Sequence, residues 1–210
     1  MKRIFAVVMA AVMALCMTAC GGNKPQTEDR QPTSDVFVRS DFDGRDIFFN
    51  NYTGITVKMP GDWYVATDSE LVALFFDGQV TSGEFASWTA ADYAKHQLVP
   101  DFIVQDLANG NNLIVLYENL TMLDGGSDMT AQQYIDTSEA VITAAGSTVT
   151  AKGTVQLCGM EFATITSTSQ VNGAQVVQYQ AVRRFGDYMA AITATDKTSM
   201  GESNFWMMFE

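Results

Sequence analysis

Few residues in this chain of 210 could do chemistry, and most of them lack the partners that chemistry needs. His96 is the single histidine, so a Ser-His-Asp nucleophilic set would have to be built on it. It stands in Tyr93-Ala94-Lys95-His96-Gln97 beside a lysine. Ser87 and Asp92 are close in sequence but form no nucleophile elbow, and His96 reads as a residue on a surface helix. One histidine also excludes an ordinary zinc centre, which draws several ligands from His and Cys.

Asp41-Phe42-Asp43-Gly44-Arg45-Asp46 carries carboxylates at alternating positions, and hard oxygens so spaced suit Ca2+. Against this, Arg45 takes a ligand position, and the twelfth residue is Tyr52 rather than Glu. Calcium binding by Asp41, Asp43 and Asp46 or a plain turn before the first strand are both open, and no metal site is assigned. Asp124-Gly125-Gly126-Ser127-Asp128 has the glycines of a phosphate loop, but no lysine, and its acids repel phosphate. It reads as the linker into a helix. Glycoside cleavage needs two acids at a defined separation, one with a raised pKa; with 24 acids in the chain, spacing alone selects no pair. No catalytic residue and no cofactor is therefore assigned. Trp63, Trp88, Tyr93 and Trp206 could stack on a ligand. Apolar neighbours place Trp63 and Trp206 in the core. Ser87-Trp88-Thr89 is loop-like, which makes Trp88 the candidate ligand-binding aromatic.

The elements that must carry these residues follow from periodicity and punctuation. Ile47-Phe48-Phe49 and Ile55 to Met59 read as strands around Asn50, Asn51 and Gly54, and Trp63-Tyr64-Val65 follows the Pro60-Gly61-Asp62 break. Thr67-x-x-Glu70 and Thr130-x-x-Gln133 are capping boxes, opening a short helix that Gly78 ends and a long one that Gly146 ends. A further helix is expected over 89–98 and a last one over 199–210. Strands are expected over 102–107 and 113–120, and then over 148–157, 161–169, 175–185 and 188–195. The separators of these last four are Cys158-Gly159, Asn172-Gly173 and Gly186-Asp187, so three consecutive hairpins form an antiparallel meander. The fold class is α+β, a single antiparallel β-sheet flanked by helices.

At the other end, Lys2 and Arg3 precede an uncharged run, Ile4 to Met17, too short to cross a bilayer of about 30 Å as a helix. Met17-Thr18-Ala19-Cys20-Gly21-Gly22 resembles the lipobox of bacterial lipoproteins, with Met17 where that pattern prefers Leu. The resemblance implies cleavage before Cys20, lipid on its sulfur, and export to the outer face of a bacterial membrane. Two or more acyl chains anchor stably where one does so only marginally. Residues 1–19 are then the signal peptide, 20–45 a flexible tether and 46–210 the domain. From Cys20 to Ser34 there are two Pro, two Gly and no large apolar residue. Those fifteen or so residues reach about 50 Å when fully extended. Cleavage removes two bases and no acid, leaving 10 basic and 24 acidic side chains, a formal charge of −14. Such a chain repels nucleic acid and anionic lipid, so the lipid must hold the membrane. Cys16 leaves with the signal and Cys20 is modified, so Cys158 has no disulfide partner and reads as an inert buried thiol.

The order of elements also resembles the PsbP-like fold, as found in small lipoproteins of Gram-positive anaerobes. The matching pieces are Tyr52-x-Gly54-Ile55-Thr56-Val57-x-Met59-Pro60-x-x-Trp63, the helix from Asp68, the helix 130–146, the turn Cys158-Gly159-Met160 and the strand Asp187-Tyr188-Met189-Ala190-Ala191-Ile192. They cover about residues 46–210 and are structural: Gly and Pro shape a turn, and Trp63 fills a core. The resemblance implies an α/β/α sandwich, a fold that hosts binding and assembly roles and does not by itself fix a function. Two expectations follow. The first is a non-enzymatic surface module that binds an envelope protein or a small extracellular ligand, or assists envelope assembly. The second is an envelope-associated hydrolase that works with acidic residues.

Overall fold

The computed structural model describes residues 34–209; the signal segment, Cys20 and the tether as far as residue 33 lie outside the described residues. Among the described residues ten strands are formed: β1 Asp41–Phe42, β2 Ile47–Phe49, β3 Thr56–Lys58, β4 Tyr64–Val65, β5 Leu98–Gln105, β6 Asn112–Asn119, β7 Thr148–Leu157, β8 Met160–Val171, β9 Ala174–Phe185 and β10 Tyr188–Asp196. Seven of them make one sheet in the order β4-β5-β6-β10-β9-β8-β7, with every neighbour antiparallel. The expected meander is present as β7 to β10. Its turns use the conformation that Asn and Gly tolerate: Asn172 and Gly173 have φ of 53° and 81°.

The expectation of a single sheet flanked by helices is corrected. β1, β2 and β3 form a separate three-stranded sheet, and the described residues are mostly strand with few helices. The small sheet stays apart because its apolar side chains are used face to face with the large one. Phe48 of β2 stacks on Phe102 of β5 with centroids 3.9 Å apart. Val57 of β3 pairs as an isolated bridge with Phe209, not with a strand of the large sheet. Cys158, at φ 52° in the β7–β8 turn, ties the two sheets together. Its half-buried thiol accepts from the Thr56 amide and donates to the Thr56 carbonyl, both at 3.3 Å.

The helices are α1 Asp68–Phe75, α2 Ser82–Ala86, α3 Ala90–Tyr93, α4 Ala131–Ala144 and α5 Glu202–Trp206. Capping boxes open α1 and α4 at Thr67 and Thr130 as the sequence predicts. A third box, Thr81 with Glu84, opens α2, a helix not among those expected from the sequence. The helix expected over 89–98 shrinks to one turn. Pro100 disfavours helix at the residue before it, and Leu98 and Val99 already pair with Glu118 and Tyr117 of β6. The final helix is likewise shorter, because Phe205 and Trp206 reach the core and Phe209 turns back to β3.

Helix α4 packs Tyr134, Ile135 and Ile142 against Ala163, Ile165, Val182, Met189 and Ala191 on one side of the large sheet. The other side faces the small sheet, the short helices and Trp63, Phe205 and Trp206. The loop into α4, where Asp124 to Asp128 offered phosphate-loop glycines, is built for close packing. It makes two 3-10 turns, Leu120–Met122 and Gly126–Asp128. A Cβ on Gly126 would overlap the Leu120 carbonyl. Main chain cannot yield as a side chain can, so Gly126→Ala is expected to lower stability by about 1–3 kcal/mol, the usual range for overpacking. Urea unfolding of the variant against wild type measures it.

Candidate functional site

A buried carboxylate lies under the N-terminal segment. In β5, Pro100 pairs with Leu116 and Phe102 with Val115, which leaves Asp101 as the extra residue of a β-bulge. A bulge can hold Pro within a strand and re-aim the side chain beside it. Here it carries Asp101 inward until the residue is 2% exposed. The carboxylate accepts from the Ser40 amide and the Ser40 hydroxyl, both at 2.6 Å. The Asp101 carbonyl accepts from Nε and Nη2 of Arg39 at 3.2 and 2.7 Å. Nη1 of Arg39 donates to Asp68 at the start of α1 at 3.0 Å, and the guanidinium lies 4.2 Å from the centroid of Phe85 in α2. Burial pushes the Asp101 carboxyl up, opposed by the Ser40 donors, Arg39 and Asn50.

The residues before Ser40 join the same core. Phe37 is 4% exposed. It stacks on Tyr188 at 4.1 Å and meets Tyr52, Tyr93 and Tyr117 edge-on. Asn50 holds this strap from the small sheet: its Nδ2 donates to the Val38 carbonyl at 2.9 Å, and its Oδ1 accepts from the Tyr52 and Thr53 amides. Burial and Asp101 raise the Tyr117 phenol well above its ordinary value. Burial, with Asp187 nearby, pushes Tyr52 up to about 12. Packed structure therefore reaches back to Phe37, into the span assigned to the tether, and the strap 37–40 belongs to the domain's core.

Trp88 lies in a different group. Its ring stacks on His96 at 4.2 Å and 16°, with edge contacts to Phe76, Phe85 and Tyr93. Trp88 is half-buried, and the loop expected to present it is held between α2 and α3. His96 is half-buried too; burial first and Lys95 second lower its pKa. The stack has the form of an aromatic platform whose faces are largely used within the protein. Trp63 and Trp206 are core residues as expected.

The acids of the supposed calcium loop serve a turn. Asp43 Oδ1 accepts from the amides of Arg45, Asp46 and Ile47 at 2.9, 3.1 and 3.1 Å, and these backbone donors hold the carboxyl below its ordinary value. Asp41 accepts from Asn51. Among the described residues, no three His, Cys, Asp or Glu are grouped to hold a metal ion. The other buried acids also have protein donors. Glu118 accepts from Tyr134 and Gln97 at 2.7 and 2.9 Å. Asp196 accepts from the amides of Thr198, Met200 and Gly201. Sequence reading missed Asp101, Arg39 and Phe37. The available signal was Pro100-Asp101 at the head of an apolar strand, a place where a charge needs a reason.

No family model matches the chain, and no curated protein matches it. Solved structures similar to it include a protein of Bacteroides thetaiotaomicron, 10% identical with a TM-score of 0.42 over 74% of this chain and 43% of that one. They also include LpqN of Mycobacterium tuberculosis, involved in cell envelope biogenesis. That match is 10% identical with a TM-score of 0.38, over 73% of this chain and 75% of LpqN. The chain spans less than half the length of the Bacteroides protein. Likenesses this slight carry no conclusion about what the chain does.

The clamp makes a signed prediction. Asp101→Ala strands the Ser40 donors in a buried site and is expected to cost about 3 kcal/mol. Asp101→Asn cannot titrate and serves as the control. A carboxyl whose folded pKa is raised gives stability that is full below the unfolded value and is lost as pH rises through the folded value. Wild-type stability relative to Asp101→Asn should therefore grow as pH falls from neutral and level off below the ordinary aspartate value of 3.8. Urea titrations of both proteins across pH 3 to 7 (roughly the span of a carboxyl titration) read this difference.

Proposed function

We propose that the chain is an exported lipoprotein, anchored by lipid on Cys20 to the outer face of a bacterial membrane. Its PsbP-like domain acts there as a non-enzymatic module. The partner is an envelope protein or a small extracellular ligand, or an envelope complex whose assembly the module assists. The leader and Cys20 support the address. The single observation that carries the rest is the strap. The chain that leads from Cys20 enters the domain through residues 37–40, held in the core by Asp101 and Asn50. Any pull on the tether is thus delivered to the large sheet, not to a frayed end, as suits a domain that works while tethered. A hydrolase would need two carboxylates facing across a cleft, whereas Asp101, Glu118 and Asp196 are each held by protein donors.

Metabolic labelling with a radioactive fatty acid, followed by detergent phase partition, tests the anchor. Wild type should carry label and enter the detergent phase, and Cys20→Ala should carry none and stay in the aqueous phase. Equal labelling of the two would overturn the anchor. Crosslinking of the tethered protein in intact envelope, followed by identification of what is captured, tests the binding role. Loss of every specific adduct on Trp88→Ala would place the contact at the aromatic platform.

A further inference from the structure

The edge of a sheet presents amide and carbonyl groups that a further strand could pair. Among the described residues, most edges are short or covered. β1 and β4 have two residues each. Beyond β4, the Asp101 and Ile103 carbonyls of β5 accept from Arg39 and from the Ala66 amide. β3 is covered by the C-terminal residues, through the Val57 bridge to Phe209 and the Lys58 amide on the Met208 carbonyl. β7 differs from these. It ends the large sheet, it is ten residues long, and Leu157 is its one buried residue.

The direction of its free groups follows from the turn that ends it. Cys158 and Gly159 have φ of 52° and 72°, which makes a two-residue hairpin turn whose flanking residues exchange both main-chain bonds. Leu157 is therefore bonded to Met160, its partner in β8. Alternation along an antiparallel pair then spends Val155 and Gly153 on β8 and turns the N–H and C=O of Gln156, Thr154 and Lys152 outward. The register is unbroken from Ala151 to Leu157, and the bulge lies before it, between Val149 and Ala151. Neither a proline nor a projecting charge guards this run. Lys152 turns back to α4, with Nζ 3.1 Å from Asp136 Oδ1 and 2.6 Å from Glu139 Oε2.

The geometry points to the outer edge of β7 as a docking site for an extended, basic segment of an envelope protein, added to the sheet as a further strand. The main chain of that segment pairs with the outward groups of Lys152, Thr154 and Gln156, and its side chains alternate between the two faces. On the α4 face they come within about 5.5 Å of Lys152 and Thr154, where two carboxylates share one ammonium. Asp136 and Glu139 keep 54% and 41% of their side-chain surface exposed. Their second oxygens, Oδ2 and Oε1, accept no hydrogen bond from the described residues. A lysine or arginine of the partner supplies the missing cation. On the opposite face Val155 is half-buried against the core, and an apolar side chain beside it completes the cover. The edge thus fits alternating basic and apolar residues. A second copy of this chain would bring the same surplus of acid to the same edge, on a chain of formal charge −12, and like charges oppose that pairing. The inference rests on the binding role proposed above and gives its partner a chemistry; its failure would leave that role, read by crosslinking, intact.

Amide hydrogen exchange of the full chain in non-ionic micelles, read by NMR, tests the docking site. In the free protein, Gly153 and Val155 should be protected while Lys152, Thr154 and Gln156 exchange as open chain. The probe is the acetylated peptide Thr-Lys-Val-Lys-Val-Lys-Thr. At saturation it should slow the three outward amides by about tenfold or more. The same peptide with Glu for Lys, and the basic peptide methylated on the backbone nitrogens of its lysines, should slow none of them. Asp136→Asn with Glu139→Gln should weaken the basic peptide about fivefold, as loss of exposed ion pairs does. Thr154→Pro removes one outward N–H at an edge, where proline is tolerated, and should abolish docking; if that variant does not fold, the methylated peptide makes the same test. No slowing by the basic peptide would overturn the proposal, as would equal slowing by the acidic or the methylated one. Protection of the outward amides in the free protein would also overturn it, because a second copy or another part of the same chain would already hold the edge.

Discussion

A carboxylate with almost no access to water must be answered by donors, and the donors around Asp101 come from separated parts of the chain. Ser40 reaches the carboxylate from the N-terminal strap and Asn50 from the small sheet, while Arg39 of the strap donates to the Asp101 carbonyl and adds its charge nearby. Arg39 continues to Asp68 in α1 and to Phe85 in α2. One bulged residue in β5 therefore fixes the relative places of the strap, the small sheet and the short helices. Uncompensated, a buried charge of this kind is among the most destabilising features a core can hold. The surrounding groups are ordered because they meet its need.

The same constraint explains why the fold is two sheets. Phe37 can sit among Tyr52, Tyr93, Tyr117 and Tyr188 only if the strap lies between the small sheet and the large one. The β1–β3 sheet then closes over it, with Phe48 on Phe102 and Cys158 bonded to Thr56. On the opposite side α4 needs no such device. It rests on an apolar patch and is pinned in its first turn by Tyr134 to Glu118 and along its middle by Asp136 and Glu139 to Lys152. One side of the sheet is a polar and aromatic lock around a buried charge, and the other is ordinary helix-on-sheet packing.

The meander and the long helix were legible because their signals are local. Turn dipeptides such as Asn172-Gly173 and capping boxes such as Thr130 with Gln133 act within a few residues. The small sheet, the strap and the bulge were not legible, because each is settled by contacts across 60 or more positions, Ser40 to Asp101 among them. Leu98 and Val99 show the competition directly. Their local pattern continued a helix, and pairing with β6 took them into a strand. Trp88 was read as loop-borne and open because nothing local announces that His96, eight residues on, will stack upon it.

Asp101 as the fixing point of the strap is the claim from which the rest follows, and native-state hydrogen exchange at one amide tests it most directly. The Ser40 N–H donates to a buried carboxylate near the start of the packed chain. If the clamp is part of the global core, that amide exchanges with the protection of the β6 and β10 amides and shares their denaturant dependence. If Ser40 exchanges at the rate of a frayed terminus while β6 and β10 stay protected, the strap opens on its own and Asp101 does not hold the structure together.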